Sequence, residues 1–325
     1  MKKVLLLFIL ITAWKPFFTA AQQPVTGKPV TELFVNYHQY INNNDSSLVN
    51  GFAITRAYLG YNFMPEGNFT GSLLLNLANP TPIVQRRSPF FREASVSWSN
   101  KKLTMTLGMT STRGTMFQQR FVGKRYISES FEIANKYTEV ADLGFAVDYI
   151  INDMLEVDFT FMNGEGYNKA HIDNSIKTSA GINIKPNEKF LFRAYFDVDR
   201  PGGIWQSMLV GFAGFKSSLF STGIEAARKT NLDLKEGHDS WGLSITAAAT
   251  VTKNTELFGR YDYTTSAIAP GEPSRWNYLD DYRYSVIGLQ YTFNNNFRMA
   301  LNYQGTMPYA GDNANAIFIN GHFKF

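Results

Sequence analysis

Eight charged side chains fall within Ser111–Val140, about thirty residues that follow no regular strand pattern. Arg113, Arg120, Lys124, Arg125 and Lys136 stand against Glu129, Glu132 and Glu139, with Phe117, Phe121, Tyr126 and Phe131 among them. Bases and acids held across a narrow aqueous gap make a transverse field, which orders water and admits polar solutes over apolar ones. Arg120, Lys124, Arg125, Glu129 and Glu132 are the candidate residues of such a constriction, and the aromatics are its candidate anchors. Covalent chemistry has less to draw on. His238-Asp239-Ser240 places a histidine and a serine two apart, as a lipid hydrolase needs, but in a stretch that reads as a loop. His38, His171 and His322 have no ligand spacing among them. Asn163–Tyr167, NGEGY, offers Glu165 and carbonyl oxygens to calcium, and reads more simply as a glycine turn. No metal, cofactor or catalytic residue is therefore assigned.

A constriction needs a wall. Most of the remaining chain alternates apolar and polar residues at period two, the mark of strands whose faces meet different solvents. Leu103, Met105, Leu107 and Met109 oppose Thr104, Thr106 and Thr110; Leu155, Val157, Phe159 and Phe161 oppose Glu156, Asp158 and Thr160. The last such segment, Asn315–Phe325, sets Ile317, Ile319, Gly321, Phe323 and Phe325 against Asn320, His322 and Lys324, with Phe318 an apolar intruder. Left unpaired, that segment is a sticky edge; paired with the first strand, it closes the sheet and sends its aromatics into lipid. Counting segments predicts about sixteen strands. The first covers Leu33–Tyr40 and the second Phe52–Phe63, and Trp205–Phe215 alternates poorly.

The connections sort in phase. Met64–Asn68, Ser99–Lys102, Asn152–Met154, Pro186–Lys189, Lys216–Ser218, Thr252–Thr255 and Asn294–Asn296 are short. The connections between them are mostly longer, Asp199–Ile204 excepted. Short inner turns alternating with long outer loops are the habit of bacterial outer-membrane barrels. The expected fold is all-β, a transmembrane antiparallel barrel over residues 22–325 with an inward-folded third outer loop at Ser111–Val140.

Composition agrees. Aromatics make up 15% of the chain while mean hydropathy is only −0.20, a combination that favours a barrel over a bundle of apolar helices. Lys2 and Lys3 precede VLLLFILITAW and the small residues Thr19, Ala20 and Ala21, the pattern of a signal peptide covering residues 1–21. Removing Lys2, Lys3 and Lys15 from 31 bases leaves 28 against 27 acids, so the formal charge of +4 gives no case for nucleic acid. Cysteine is absent, which excludes disulfides and cysteine–metal sites.

Strand parity then sorts the wall. Arg56, Lys177, Arg193, Arg260 and Arg298 face the lumen, as do Glu93, Asp142, Asp148, Glu156, Asp158, Asp197, Glu225, Glu256 and Asp262. The wall is formally acidic and the loop formally basic. Each wall charge serves equally well as half of an internal ion pair or as a contact for a solute.

GFAITRAYLGYNF at Gly51–Phe63, GNFTGSLLLNL at Gly67–Leu77, LGMT at Leu107–Thr110, GKRYISESF at Gly123–Phe131, ADLGF at Ala141–Phe145 and FMNGEGY at Phe161–Tyr167 occur in one order. Together they resemble the phosphate-selective porin O and P family of outer-membrane channels. The resemblance implies a sixteen-stranded, trimeric porin passing small polar or ionic solutes, anions such as phosphate among them. No ladder of lumen arginines suited to phosphate is evident. The terminal Phe325 resembles the signal read by the barrel assembly machinery. The other reading is a barrel with a blocked lumen, serving adhesion, assembly or lipid hydrolysis.

Overall fold

In hydrocarbon no water is present to satisfy a backbone amide, so a spanning sheet must pair every strand on both sides. The computed structural model describes residues 26–42, 48–65, 67–77, 88–279 and 281–325. The signal peptide expected at residues 1–21, and most of the connection expected at Asn79–Phe90, lie outside them.

The described residues form sixteen strands: β1 (Thr26–Asn42), β2 (Gly51–Met64), β3 (Phe69–Leu77), β4 (Pro89–Ser99), β5 (Leu103–Ser111), β6 (Ala141–Asn152), β7 (Leu155–Met162) and β8 (Lys177–Asn187). They continue as β9 (Phe190–Asp199), β10 (Gln206–Lys216), β11 (Phe220–Thr230), β12 (Ser240–Thr252), β13 (Thr255–Ser266), β14 (Tyr282–Asn294), β15 (Phe297–Pro308) and β16 (Ala314–Lys324). Each pairs antiparallel with its sequence neighbours, and β1 pairs with β16 to close the barrel. Turns of two to four residues lie at one end and loops of five to twenty-nine at the other.

Alternation decides which side chains go where. Leu59, Val96, Leu107, Phe159, Leu209, Ile224, Ile287, Leu301 and Ile319 are exposed on the outer surface. Asn76, Asp158, Asn183, Asp262 and Asn320 point inward and are buried. Aromatic rings gather at the short-turn rim. Phe293 stacks on Phe297 at 4.7 Å, Phe297 on Phe323 at 4.4 Å, and Phe190 meets Phe215 at 5.1 Å. Rings at that level suit a membrane–water boundary.

Two boundaries differ from the expected ones for a physical reason. β1 starts at Thr26 rather than Leu33, because residues 26–31 pair with β2 beyond the reach of β16, whose pairing with β1 ends at Glu32↔Lys324. Pro29, which cannot donate to a ladder, sits in that singly paired stretch. The segment 111–140 is not an irregular loop. It holds α1 (Arg113–Val122) and the single turn α2 (Phe131–Ala134). Gly123 ends α1 in the left-handed conformation, φ 64°, with its amide donating to Gln119 O at 2.9 Å.

Closure depends on the last strand, and the Phe325 amide donates to Thr31 O at 2.9 Å. Changing Phe325 to Ser should lower the amount of assembled barrel far more than the stability of barrels that do assemble. Heat-modifiability on gels of membrane fractions measures this; a normal amount of folded band contradicts it.

Candidate functional site

The segment between β5 and β6, here loop three, turns inward and crosses the lumen. Its base is closed by Thr112, whose hydroxyl donates to Glu139 O at 2.6 Å and whose amide donates to Val140 O at 3.2 Å. Arg113 at the start of α1 gives Nε and Nη2 to the two Asp148 oxygens at 2.8 and 2.7 Å. That planar, two-pronged contact fixes direction as well as position. Behind it Arg193, buried on β9, binds Asp158 at 2.7 Å and also donates to Arg113 O at 2.8 Å. Arg193 thus ties the wall to the helix start.

At its far end the loop reaches the opposite wall. Lys124 meets Glu256 of β13 at 2.8 Å. Tyr126 donates to Gln290 Oε1 of β14 at 2.7 Å and stacks on His322 of β16 at 5.5 Å. Asn320 and Gln304 donate to the carbonyls of Tyr126 and Ile127 at 3.2 and 3.3 Å. Arg56 pairs with Glu129, while Arg260 reaches Glu129 O and Ser128 Oγ. On the return, Tyr137 shares a hydrogen bond of 2.6 Å with Ser240, and Thr264 donates to Asn135 at 3.1 Å.

Apolar packing fixes the side on which the loop lies. Phe131 and Tyr137 pack with Tyr195, Met208, Val210 and Ala227, all inward-facing on β9, β10 and β11. Phe121 meets Phe212 edge-on at 5.3 Å. Glycines make the room: a Cβ at Gly214 would meet the Phe121 ring at 2.8 Å, and one at Gly242 would meet Phe131 at 2.6 Å. Tyr126 and Ile127 enter a second cluster with Phe34, Tyr58, Phe258 and Val286.

The lumen is therefore divided unequally. Between loop three and β10–β14 remains a space of about 70 Å³, and under Arg120–Lys124, toward the short turns of β10–β15, one of about 240 Å³. Along β3–β8 lies one of about 410 Å³, bordered by Asn100 and Lys102 at the short-turn end and by Ser111 and Arg113 at the loop base. Glu93, Asp148, Glu156 and Asp158 line it, with Arg113 and Arg120.

The five candidate constriction residues have different environments. Arg120 is exposed, borders the larger space, and has no ion-pair partner among the described residues. Lys124 is held by Glu256 over the Phe258 ring, and burial lowers its pKa. Arg125 lies 5.9 Å from the Tyr58 ring centre, and burial brings it down to about 10, still a cation at neutral pH. Glu129 is exposed and paired with Arg56. Glu132 is wholly buried, receives Gln118 Nε2 at 2.7 Å, and is pushed by burial up to about 7.

Among the wall residues, Glu93 binds Arg92 at 3.1 Å, Asp148 binds Arg113, Arg193 binds Asp158, and Arg260 binds Asp262 at 2.6 Å. Arg298 donates to His322 Nδ1 at 2.8 Å and covers the Tyr126 ring. Asp142 and Lys177 serve the loop end: Asp142 accepts from the Gly164 amide at 2.6 Å and Lys177 pairs with Asp199 at 3.5 Å.

Parity missed Arg92, which shares the lumen with its neighbour Glu93. A bulge between the pairs Leu74↔Glu93 and Leu75↔Phe91 leaves it opposite no partner and turns it inward. The register break is its signal, and sequence does not carry one. His238, Asp239 and Ser240 go to separate partners. The histidine stacks on Trp276 at 4.3 Å, Asp239 binds Arg228, and Ser240 binds Tyr137. Glu165, His171 and Asp173, which no spacing joined, bring donor atoms within 4.8 Å of one another in the loop before β8. Left-handed Gly164 and Gly166 fold that loop back on itself.

No family model and no curated protein matches the chain. Solved structures do. OmpF of Salmonella typhi, in complex with daunomycin, matches with a TM-score of 0.71 at 11% identity, over 93% of this chain and 98% of that one. Outer-membrane expressed OmpT of Vibrio cholerae matches at 0.66 and 11% identity, over 92% and 98%. A variant of the Rh. blastica porin matches at 0.62 and 12%, over 92% of this chain and all of that one. At these identities the likeness is one of fold.

Removing one half of a buried ion pair strands the other, at a cost of about 3–5 kcal/mol. Changing Arg193 to Ala should therefore lower the unfolding temperature sharply and loosen α1, whereas the paired change Arg193→Met with Asp158→Leu should recover most of the loss. Thermal unfolding in detergent, followed by circular dichroism, measures both; equal losses in the two variants contradict the assignment.

Proposed function

We propose that the chain forms a water-filled channel in the outer membrane of a Gram-negative bacterium, through which small polar and ionic solutes diffuse passively. The observation that carries this reading is the space of about 410 Å³ left open beside loop three, inside a closed barrel whose outer face is apolar. The likeness to OmpF and to the Rh. blastica porin supports it. In this reading residues 1–21 are the export signal, outer-membrane lipid surrounds the barrel, the closing strand β16 engages the barrel assembly machinery, and three copies associate. A V. cholerae OmpT structure with the same fold is described as a trimer form.

The electrostatics support a mild preference for small anions, phosphate among them. The acids lining the open space are matched: Glu93 by Arg92, Asp148 by Arg113, Asp158 by Arg193 and Glu156 by Lys185. Paired charges project little net field, so the exposed bases with no ion pair among the described residues dominate: Arg120 beside loop three and Lys102 at the short-turn end. Lys124 and Arg125, buried and engaged on the far side, set the position of the loop. The matched pairs also fit the absence of a continuous row of free arginines.

Purified protein in planar bilayers tests the proposal. Stepwise conductance is expected; a barrel that inserts without conducting favours the blocked-lumen reading. Arg120→Ala should move the reversal potential in a salt gradient toward cations, and the shift should fade near 1 M salt, where the screening length is about 3 Å. An unchanged reversal potential at low salt refutes the role of Arg120.

A further inference from the structure

Below the end of α1, toward the short turns, loop three and the wall enclose a polar space of about 240 Å³. A single water needs roughly 10–15 Å³, so this space has the size for a small molecule. Among the described residues four bases and one acid line it. Arg120 and Lys124 come from loop three, Lys216 from the end of β10 and Arg298 from the start of β15. The acid, Glu256 of β13, is already held by Lys124 at 2.8 Å. Arg298 gives Nε to His322 Nδ1 at 2.8 Å and lies 5.1 Å from the Tyr126 ring centre. Its guanidinium is thus fixed in place, while its two Nη groups have no protein partner among the described residues. Lys216 and Arg120 are exposed and make no ion pair among them either. Ser221 of β11 stands directly opposite Lys216 and adds a hydroxyl. Lys124 feels the crowding: burial lowers its pKa most, and Arg298 and Lys216 lower it further.

Four bases less one acid leave three positive charges, and the carbonyl end of α1 offsets about half of one. Such a surplus, enclosed in a narrow lumen, is costly until an anion meets it. A monovalent ion cancels the smaller part. A ligand with two anionic groups can meet loop three with one and the wall with the other. Oxyanions suit the donors, because a guanidinium offers parallel N–H groups and a lysine a point charge.

We propose that this space binds a small polyvalent oxyanion, a diphosphate or a polycarboxylate, which bridges Arg120 and Lys124 of loop three to Lys216 and Arg298 of the wall. Bound there, the anion neutralises Arg120, the base that borders both this space and the passage beside β3–β8. The preference of the channel for small anions then falls. That consequence rests on the channel reading; the binding itself does not.

Calorimetry on the purified barrel in detergent tests the binding, with pyrophosphate and citrate as probes and salt near 0.01 M, where the screening length is about 30 Å. At least one probe should bind at one site per chain. Pyrophosphate alone identifies a phosphoryl ligand, citrate alone a polycarboxylate, and both together a site that reads charge. Inorganic phosphate, with a single anionic group, should bind at least about tenfold more weakly than the better probe. Lys216→Gln removes an exposed side chain with no hydrogen bond among the described residues, and should raise the dissociation constant about tenfold without disturbing the barrel. Arg298→Gln should weaken binding similarly. Lys253→Gln, in the turn between β12 and β13 and outside the site, should leave it unchanged. Absence of saturable binding by both probes, equal affinity for inorganic phosphate, or equal weakening by Lys253→Gln overturns the proposal. In planar bilayers the better probe, added on both sides, should move the reversal potential of the parent toward cations and that of Lys216→Gln much less. A barrel that binds the probe and never conducts upholds the site and removes the channel reading; one that conducts without binding does the reverse.

Discussion

Everything in this molecule depends on backbone amides having no partner in hydrocarbon. Closure through the β1–β16 ladder removes the only edges, and it does so over ten residue pairs, Glu32↔Lys324 to Asn42↔Asn315. Once the sheet is a cylinder, its inner face is a confined polar volume and its outer face an apolar belt. The aromatic stack Phe293–Phe297–Phe323 lies beside that seam, where it ties the end of β16 to β15 and the end of β14.

Within the cylinder a second constraint operates. Charges placed in a narrow lumen are costly unless paired, and most of the wall charges among the described residues are paired, several through loop three itself. The loop is held at its start by Arg113 and Arg193, at its far end by Lys124 and Tyr126, and on its return by Tyr137. Its aromatics cover one half of the lumen wall. What remains open is an arc along β3–β8, where ion pairs line the wall and the Arg120 guanidinium has no ion-pair partner among the described residues. In the proposed channel, selectivity falls to Arg120 and the placing of the loop to Lys124 and Arg125, neighbouring residues of one segment.

The strands were legible because period two is imposed by the solvent on each side. Even the intruder Phe318 has its reason, as it stacks on His38 at 5.3 Å inside the barrel. The poor alternation of Trp205–Phe215 was itself information: Met208, Val210 and Phe212 point inward because loop three packs on them. An apolar lumen face on one strand marks where something else lies. Helix α1 was hidden by its shortness and by a surface split between the two sides of the lumen. Arg92 was hidden by a bulge, and the approach of Glu165 to His171 by two left-handed glycines. In each case the missing information is a register or a backbone turn, which residue types alone do not encode. Which member of the basic group stays free was likewise unreadable, since Arg120, Lys124 and Arg125 differ only in which wall they meet.

The central claim is that loop three lies against β10–β14 and leaves the passage along β3–β8. Single cysteines placed at Ser97 on the open side and at Thr246 on the covered side test it directly, because both residues face the lumen and the chain has no other cysteine. Treating inserted channels with a bulky, charged thiol reagent should cut the conductance of the Ser97→Cys protein by a large fraction and leave the Thr246→Cys protein unchanged. Block of the Thr246→Cys protein with the Ser97→Cys protein unaffected would place the passage on the other side of the loop and contradict the account.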